Sequence, residues 1–184
     1  MANSAQVILS TLDRHLRGPA SLRLLGGAAL ILGYGLERST EDADLLLEQG
    51  ELEALVERAE FGEALDATNR ELEPLGLYLS HIWGPEQQIL TPRWKGSCRP
   101  LPRDPSWKWL DVSVLGPLDL LVGKLARADE EDLEDIRFII SRESLDPAQV
   151  RKALEEALVP AILAEPFAVN RPKVERLLEG LVPG

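Results

Sequence analysis

Leu24-Leu25-Gly26-Gly27-Ala28-Ala29-Leu30-Ile31-Leu32-Gly33-Tyr34-Gly35-Leu36-Glu37-Arg38-Ser39-Thr40-Glu41-Asp42-Ala43-Asp44-Leu45-Leu46-Leu47 is the most informative stretch of the chain. Ser21 to Leu25 is a short apolar strand, stopped by Gly26-Gly27. Ala28 to Leu32 reads as a buried helix ending near Gly33–Gly35, and Ala43 to Leu47 as a second strand. Residues i and i+2 of a strand share a face, so Asp42 and Asp44 project side by side. Two carboxylates there, beside a third, suit a pair of Mg²⁺ ions, which prefer hard oxygen ligands and clamp phosphoryl oxygens. A Gly-Gly turn opening a helix suits phosphate, because without Cβ atoms the backbone N–H groups approach closely. Each feature has a plainer alternative: the acids as a solvated strand entry or helix cap, the glycines as a turn. Their combination at this spacing favours the phosphate reading.

Outward from this stretch, Val7, Ile8, Leu12 and Leu16 mark a helix from Ser4 to Arg17, with a serine cap. Beyond it, two helical patterns follow (Leu52, Leu55, Val56, Ala59; then Leu65, Thr68, Leu72), and Leu77 to Trp83 is a third strand. Residues 92–105 form a long loop or hairpin, and Trp109 to Leu115 alternates as a fourth strand. Pro117 opens a helix to about Ala128, Leu133 to Ile140 lies in another, Asp146-Pro147 caps a third, and Asn170 with Pro172 announces a last short one. The expected fold is α+β: residues 1–115 hold a small mixed sheet of about four strands flanked by helices, with 116–184 packed on it as a C-terminal helical bundle.

The 184 residues are 45% hydrophobic and 28% charged, which excludes disorder. No apolar run reaches the ~18–20 residues of a membrane span, and the N-terminus lacks a signal-peptide pattern. Cys98 is the single cysteine, so neither a disulfide framework nor a multi-cysteine zinc site is available, and a cytoplasmic location is expected. A net charge of -11 argues against membrane surfaces and general DNA binding. Pro92 to Trp109 is a basic exception, with Arg93, Lys95, Arg99, Arg103 and Lys108 interleaved with Trp94, Trp107 and Trp109. Such a segment either stacks on an RNA end or covers the core with its tryptophans; the second reading is favoured. His15 reads as solvated; His81 either faces the site beside the strand carrying Asp44 or is structural, and the second reading is favoured.

Lys124 follows Leu120 and Leu121 by four and three residues, and Asp132 precedes Ile136 and Ile139 by four and seven. Both charges therefore lie beside apolar helix faces and need partners. Either Lys124 pairs with Asp132 or Asp135 to hold two helices together, or Lys124 reaches a triphosphate while Asp132 or Asp135 positions it or Arg127.

Gly26-Gly27-Ala28 followed by Arg38-x-Thr40-x-Asp42-x-Asp44 resembles the signature of the DNA polymerase β-like nucleotidyltransferase superfamily. Leu110-Asp111-Val112-Ser113-Val114-Leu115-Gly116-Pro117-Leu118-Asp119-Leu120, then Lys124 to Arg127, then Asp132 to Ile136, is similar to the C-terminal motif of a bacterial branch related to abortive-infection toxins of toxin–antitoxin systems. The likeness covers about residues 20–142, with Ser80–Trp83 and Gln88–Pro92 fitting loosely. It implies that Gly26 and Gly27 cradle phosphates, that Asp42 and Asp44 bind Mg²⁺, and that Arg38 and Thr40 order the intervening loop. Lys124 and Arg127 would stabilise the triphosphate, with Asp132 and Asp135 beside them. The superfamily adds a third carboxylate from a neighbouring strand, and Asp111 is the strand-borne candidate. The implied activity is Mg²⁺-dependent transfer of a nucleoside monophosphate from an NTP to an RNA end or a protein, in a toxin–antitoxin pair with a cognate antitoxin or toxin. The alternative is an inactive nucleotide-binding or protein-interaction module on the same fold.

Overall fold

In the computed structural model, which describes residues 3–181, α1 (Ser4–His15) starts where Asn3 Oδ1 accepts the backbone N–H of Gln6 at 2.8 Å. The cap is therefore Asn3 and not a serine; Ser4 instead uses its hydroxyl oxygen to accept the Thr40 N–H at 2.9 Å. Ala5, Ile8, Leu9 and Leu12 form the buried stripe of α1. Asp13 is buried with them, and its carboxylate accepts the backbone N–H groups of Lys108, Trp109 and Leu110, each at 2.8 Å. This contact fixes the start of the strand that follows. Asp13→Ala should cost about 3 kcal/mol, because three N–H groups lose a charged acceptor at once. Urea denaturation reads that loss, and a change below about 1 kcal/mol would show the contact to be dispensable.

The sheet contains β1 (Ala20–Leu25), β2 (Asp42–Leu46), β3 (Tyr78–Trp83), β4 (Arg99–Pro100) and β5 (Leu110–Val114), in the order β3-β2-β1-β5-β4. β1 runs antiparallel to β2 and parallel to β5; β2 and β3 are parallel, and β4 is antiparallel to β5. It is a mixed sheet, as expected, with five strands where about four were expected. β4 has two residues, too few for any alternation, and its proline suits an edge. Ala20, Leu22, Leu24, Ala43, Leu45, Leu79, Leu110, Val112 and Val114 form the buried face. The opposite face carries Ser21, Arg23, Asp42, Asp44, Asp111 and Ser113, which are less buried.

Between β1 and β2 runs α2 (Gly26–Ala29), which widens into a π turn over Leu30–Tyr34. A Cβ at Gly33 would stand 2.6 Å from Val114 Cγ2, so only glycine permits this close approach to β5. The parallel connection from β2 to β3 is made by α3 (Gln49–Val56) and α4 (Ala59–Leu72), and α4 packs on β3 and α1 through Phe61, Ala64, Thr68 and Leu72.

The chain divides into two units: one runs to Gly84 and resumes over Cys98–Val114, and the other comprises Pro85–Ser97 and the chain from Leu115 on. This grouping departs from an expected 1–115 and 116–184 in the segment Pro85–Ser97, which includes α5 (Trp94–Ser97). The physical reason is Asp119, buried in α6 (Pro117–Gly123), which accepts the Thr91 N–H at 2.7 Å and the Ser97 hydroxyl at 2.6 Å. A backbone bridge between Leu90 and Leu158 adds to it. Pro85–Ser97 is thus tied to the helical unit by its own polar groups.

That unit continues with a 3₁₀ turn at Lys124–Ala126, α7 (Glu130–Arg142), α8 (Pro147–Glu156) and α9 (Ala164–Leu181). Asp129 caps α7, and Asp146 with Gln149 forms the capping box of α8 that Asp146-Pro147 announced. The expected short last helix is instead eighteen residues long and carries Pro172 inside it. Asn170 does not cap it: its side-chain amide donates to the carbonyls of Leu125 and Arg127, at 2.9 and 3.1 Å. Of the tryptophans in the basic stretch, Trp94 and Trp107 are buried, as the core-covering reading expects, and Trp107 Nε1 donates to the Ser10 hydroxyl. No helix among the described residues is long and apolar enough to cross a membrane.

Candidate functional site

The first unit gathers six of the residues singled out in the sequence. Register sets Leu25 opposite Asp44, so the glycine turn that follows Leu25 lies against that carboxylate. Gly26 adopts φ 65°, a conformation open to glycine, and a Cβ there would stand 3.5 Å from Asp44 Oδ2. A Cβ at Gly27 would stand 3.5 Å from both Thr40 Oγ1 and Arg38 Nη2. Thr40 donates its hydroxyl to the backbone oxygen and Oδ1 of Asp42, at 3.1 and 3.2 Å, which orients that carboxylate. Gly26, Gly27, Arg38, Thr40, Asp42 and Asp44 therefore converge, and both aspartates remain partly open to solvent.

Two further side chains join them. Trp83 Nε1 donates to Asp44 Oδ1 at 3.4 Å, His81 Nδ1 stands 3.6 Å from the same oxygen, and the two rings stack at 5.0 Å. Strict alternation along β3 would send both toward the buried face with Leu79. A β-bulge prevents this: Ala43 pairs with Leu79, but Leu45 pairs with Ile82, so Ser80 and His81 together oppose Asp44. Nothing in a single sequence signals such a bulge, so the approach of Trp83 to Asp44 is not legible there; of the two roles open to His81, the place beside the strand carrying Asp44 is the one it occupies.

Asp111 does not join the pair. It shares their sheet face, but it is registered with Ser21, four residues along β1 from Leu25. At about 3.3 Å per residue that is roughly 13 Å along the strand direction, too far for one site. Among the described residues no group of three or more histidine, cysteine or acidic side chains is placed to hold a metal. The donor set nonetheless suits Mg²⁺ arriving with its substrate, because that ion is commonly held by one or two carboxylates together with phosphate oxygens and water.

In the second unit, Lys124 Nζ lies 2.8 Å from Asp132 Oδ1 and 2.7 Å from Asp135 Oδ2. Arg127 Nε and Nη2 grip Asp132 at 2.8 and 3.1 Å. These are the ion pairs of the helix-joining alternative, and both aspartates are buried at the root of α7. Burial pushes the Asp132 carboxyl upward, but hydrogen bonds from Arg127 and Lys124 outweigh it and hold it below its ordinary 3.8. A lowered carboxyl stabilises the fold above its unfolded value and loses that contribution as pH falls through the folded one. Stability should therefore fall steeply below pH 3.8, and Asp132→Asn should flatten that part of the curve in urea melts taken between pH 5 and 2.

The family model described as a nucleotidyltransferase of unknown function (DUF6036) matches residues 4–165. No curated protein and no solved structure matches the chain. The match spans both units, the glycine turn and the Asp-x-Asp strand included, so the chain belongs to this family of nucleotidyltransferases.

Proposed function

We propose that this chain is a Mg²⁺-dependent nucleotidyltransferase whose nucleotide site is built on Gly26, Gly27, Arg38, Thr40, Asp42 and Asp44. The observation that carries the reading is the pairing of Leu25 with Asp44, which sets a glycine turn against a carboxylate. The backbone N–H groups at the turn would take the terminal phosphates, and Arg38 beside Gly27 adds positive charge there. Asp42 and Asp44 would hold the ion, which when bound neutralises phosphate charge and polarises the α-phosphorus. Thr40 keeps Asp42 oriented. A hydroxyl of the acceptor forms the new bond to the α-phosphorus as the bridging P–O bond to the β-phosphate breaks, and pyrophosphate leaves. Catalysis of this kind rests on positioning and electrostatics.

A second reading, a nucleotide-binding module without turnover, is favoured by one observation: Asp111 is registered away from the pair. A role in a toxin–antitoxin pair belongs to the same proposal, supported by the resemblance to abortive-infection toxins. Calorimetric titration of ATP, GTP, CTP and UTP, with and without Mg²⁺, tests the site. Mg²⁺-dependent binding of at least one NTP is expected, and binding of none overturns the proposal. Pyrophosphate release on addition of RNA, protein or small-molecule acceptors then separates the enzyme from the module.

A further inference from the structure

β2 lies between β1, which ends in the glycine turn, and the edge strand β3. In phosphoryl-type displacement the attacking and leaving oxygens stand roughly in line on opposite sides of the phosphorus. If the turn after β1 holds the leaving phosphates, the attacking hydroxyl arrives from the β3 side. That side presents aromatic side chains. Tyr78 is registered opposite Asp42 and is 43% exposed, and His81, stacked on Trp83, reaches Asp44. Tyr78 and His81 both line a shallow, solvent-open pocket of about 550 Å³, together with Asn69, Arg70, Glu73 and Leu77. His81 is the residue common to the cavity and the carboxylate pair.

The cavity's polar groups narrow the occupant. Asn69 is committed to the backbone of Leu79 through both its amide oxygen and its amide nitrogen. Arg70, whose Nε donates to the Asp66 carbonyl at 3.2 Å, and Glu73 are one positive and one negative, so the lining offers no surplus charge for a polyphosphate backbone on a chain of net charge -11. The volume falls in the range of small-ligand sites. Resting on the nucleotidyltransferase reading, we infer that this cavity is the acceptor subsite, and that it takes a single ribonucleoside, with the base against Tyr78 and His81 and a ribose hydroxyl toward Asp42 and Asp44. The nucleoside oxygen bonds to the α-phosphorus, the α–β bridging bond breaks, pyrophosphate leaves with the bonding electrons, and the hydroxyl proton passes to water.

The test is NMR titration of the full chain with adenosine, guanosine, cytidine and uridine, in Mg²⁺ with and without inorganic tripolyphosphate. At least one nucleoside should shift the Tyr78 and His81 ring resonances, with the same affinity whether or not tripolyphosphate is present. Tyr78→Ala should weaken it about ten-fold or more, and Tyr78→Phe, which keeps the ring, should restore it. Absence of nucleoside binding, or indifference to Tyr78→Ala, overturns the inference. Displacement of the nucleoside by ATP but not by tripolyphosphate also overturns it, by making the cavity the base subsite of the donor. An oligoribonucleotide binding more than ten-fold tighter than any nucleoside overturns it in favour of RNA. Failure of Mg²⁺ and tripolyphosphate to bind at all is a separate result, which removes the nucleotidyltransferase reading itself.

Discussion

Asp42→Asn/Asp44→Asn loses Mg²⁺-dependent NTP binding by at least about 100-fold, a change of roughly 2.7 kcal/mol, while thermal stability stays nearly constant. The size follows from removing both charges that would face the ion, since neutral amide oxygens are poor substitutes for carboxylates around Mg²⁺. The stability half follows from the geometry. Asp42 Oδ1 accepts from Thr40, and Asp44 Oδ1 accepts from Trp83, roles that an asparagine Oδ1 keeps. Both side chains are partly exposed, so the midpoint should move by no more than about 2 °C. Calorimetry and a thermal melt on the same preparation read both quantities. A double variant that melts far earlier, with NTP affinity intact, would assign the pair to architecture.

Lys124→Met should destabilise the protein by about 3–5 kcal/mol, the usual consequence of removing one partner from a buried ionic cluster. Asp132 and Asp135 are 3% and 2% exposed, and Lys124 is shared between them at 2.8 and 2.7 Å. Arg127 would still serve Asp132, so Asp135 bears most of the loss. The urea midpoint measures it. Adding Asp135→Asn to Lys124→Met should recover a large part of the stability, because the uncompensated charge goes with it. A loss below about 1 kcal/mol in the single variant would mean that the cluster does not hold these helices.

The parts of this molecule that were legible in its sequence are those set by neighbours a few residues apart. The glycine turn, the shared face of Asp42 and Asp44, and the box at Asp146-Pro147 are local chemistry, and each is present. Asp111 shows where locality ends. Alternation along β5 fixes which face a residue takes, but its height is set by pairing with β1, a tertiary fact. The bulge opposite Asp44 is of the same kind: it turns His81 and Trp83 onto the carboxylate face against the alternation of their own strand. Asp13 is a polar position on an amphipathic helix, and its carboxylate serves backbone groups some ninety-five residues away, which helix spacing does not reveal. Asn170 carried a cap signal that its long-range amide contacts override.

The most direct test of the nucleotide site is paramagnetic broadening of backbone amide signals by Mn²⁺, added at substoichiometric amounts with ATP. Signals of Gly26, Gly27, Thr40, Asp42 and Asp44 should vanish first, and they should survive in the Asp42→Asn/Asp44→Asn variant. Broadening centred instead on the acidic first turn of α7, or unchanged by that double substitution, would contradict a nucleotide site on these residues.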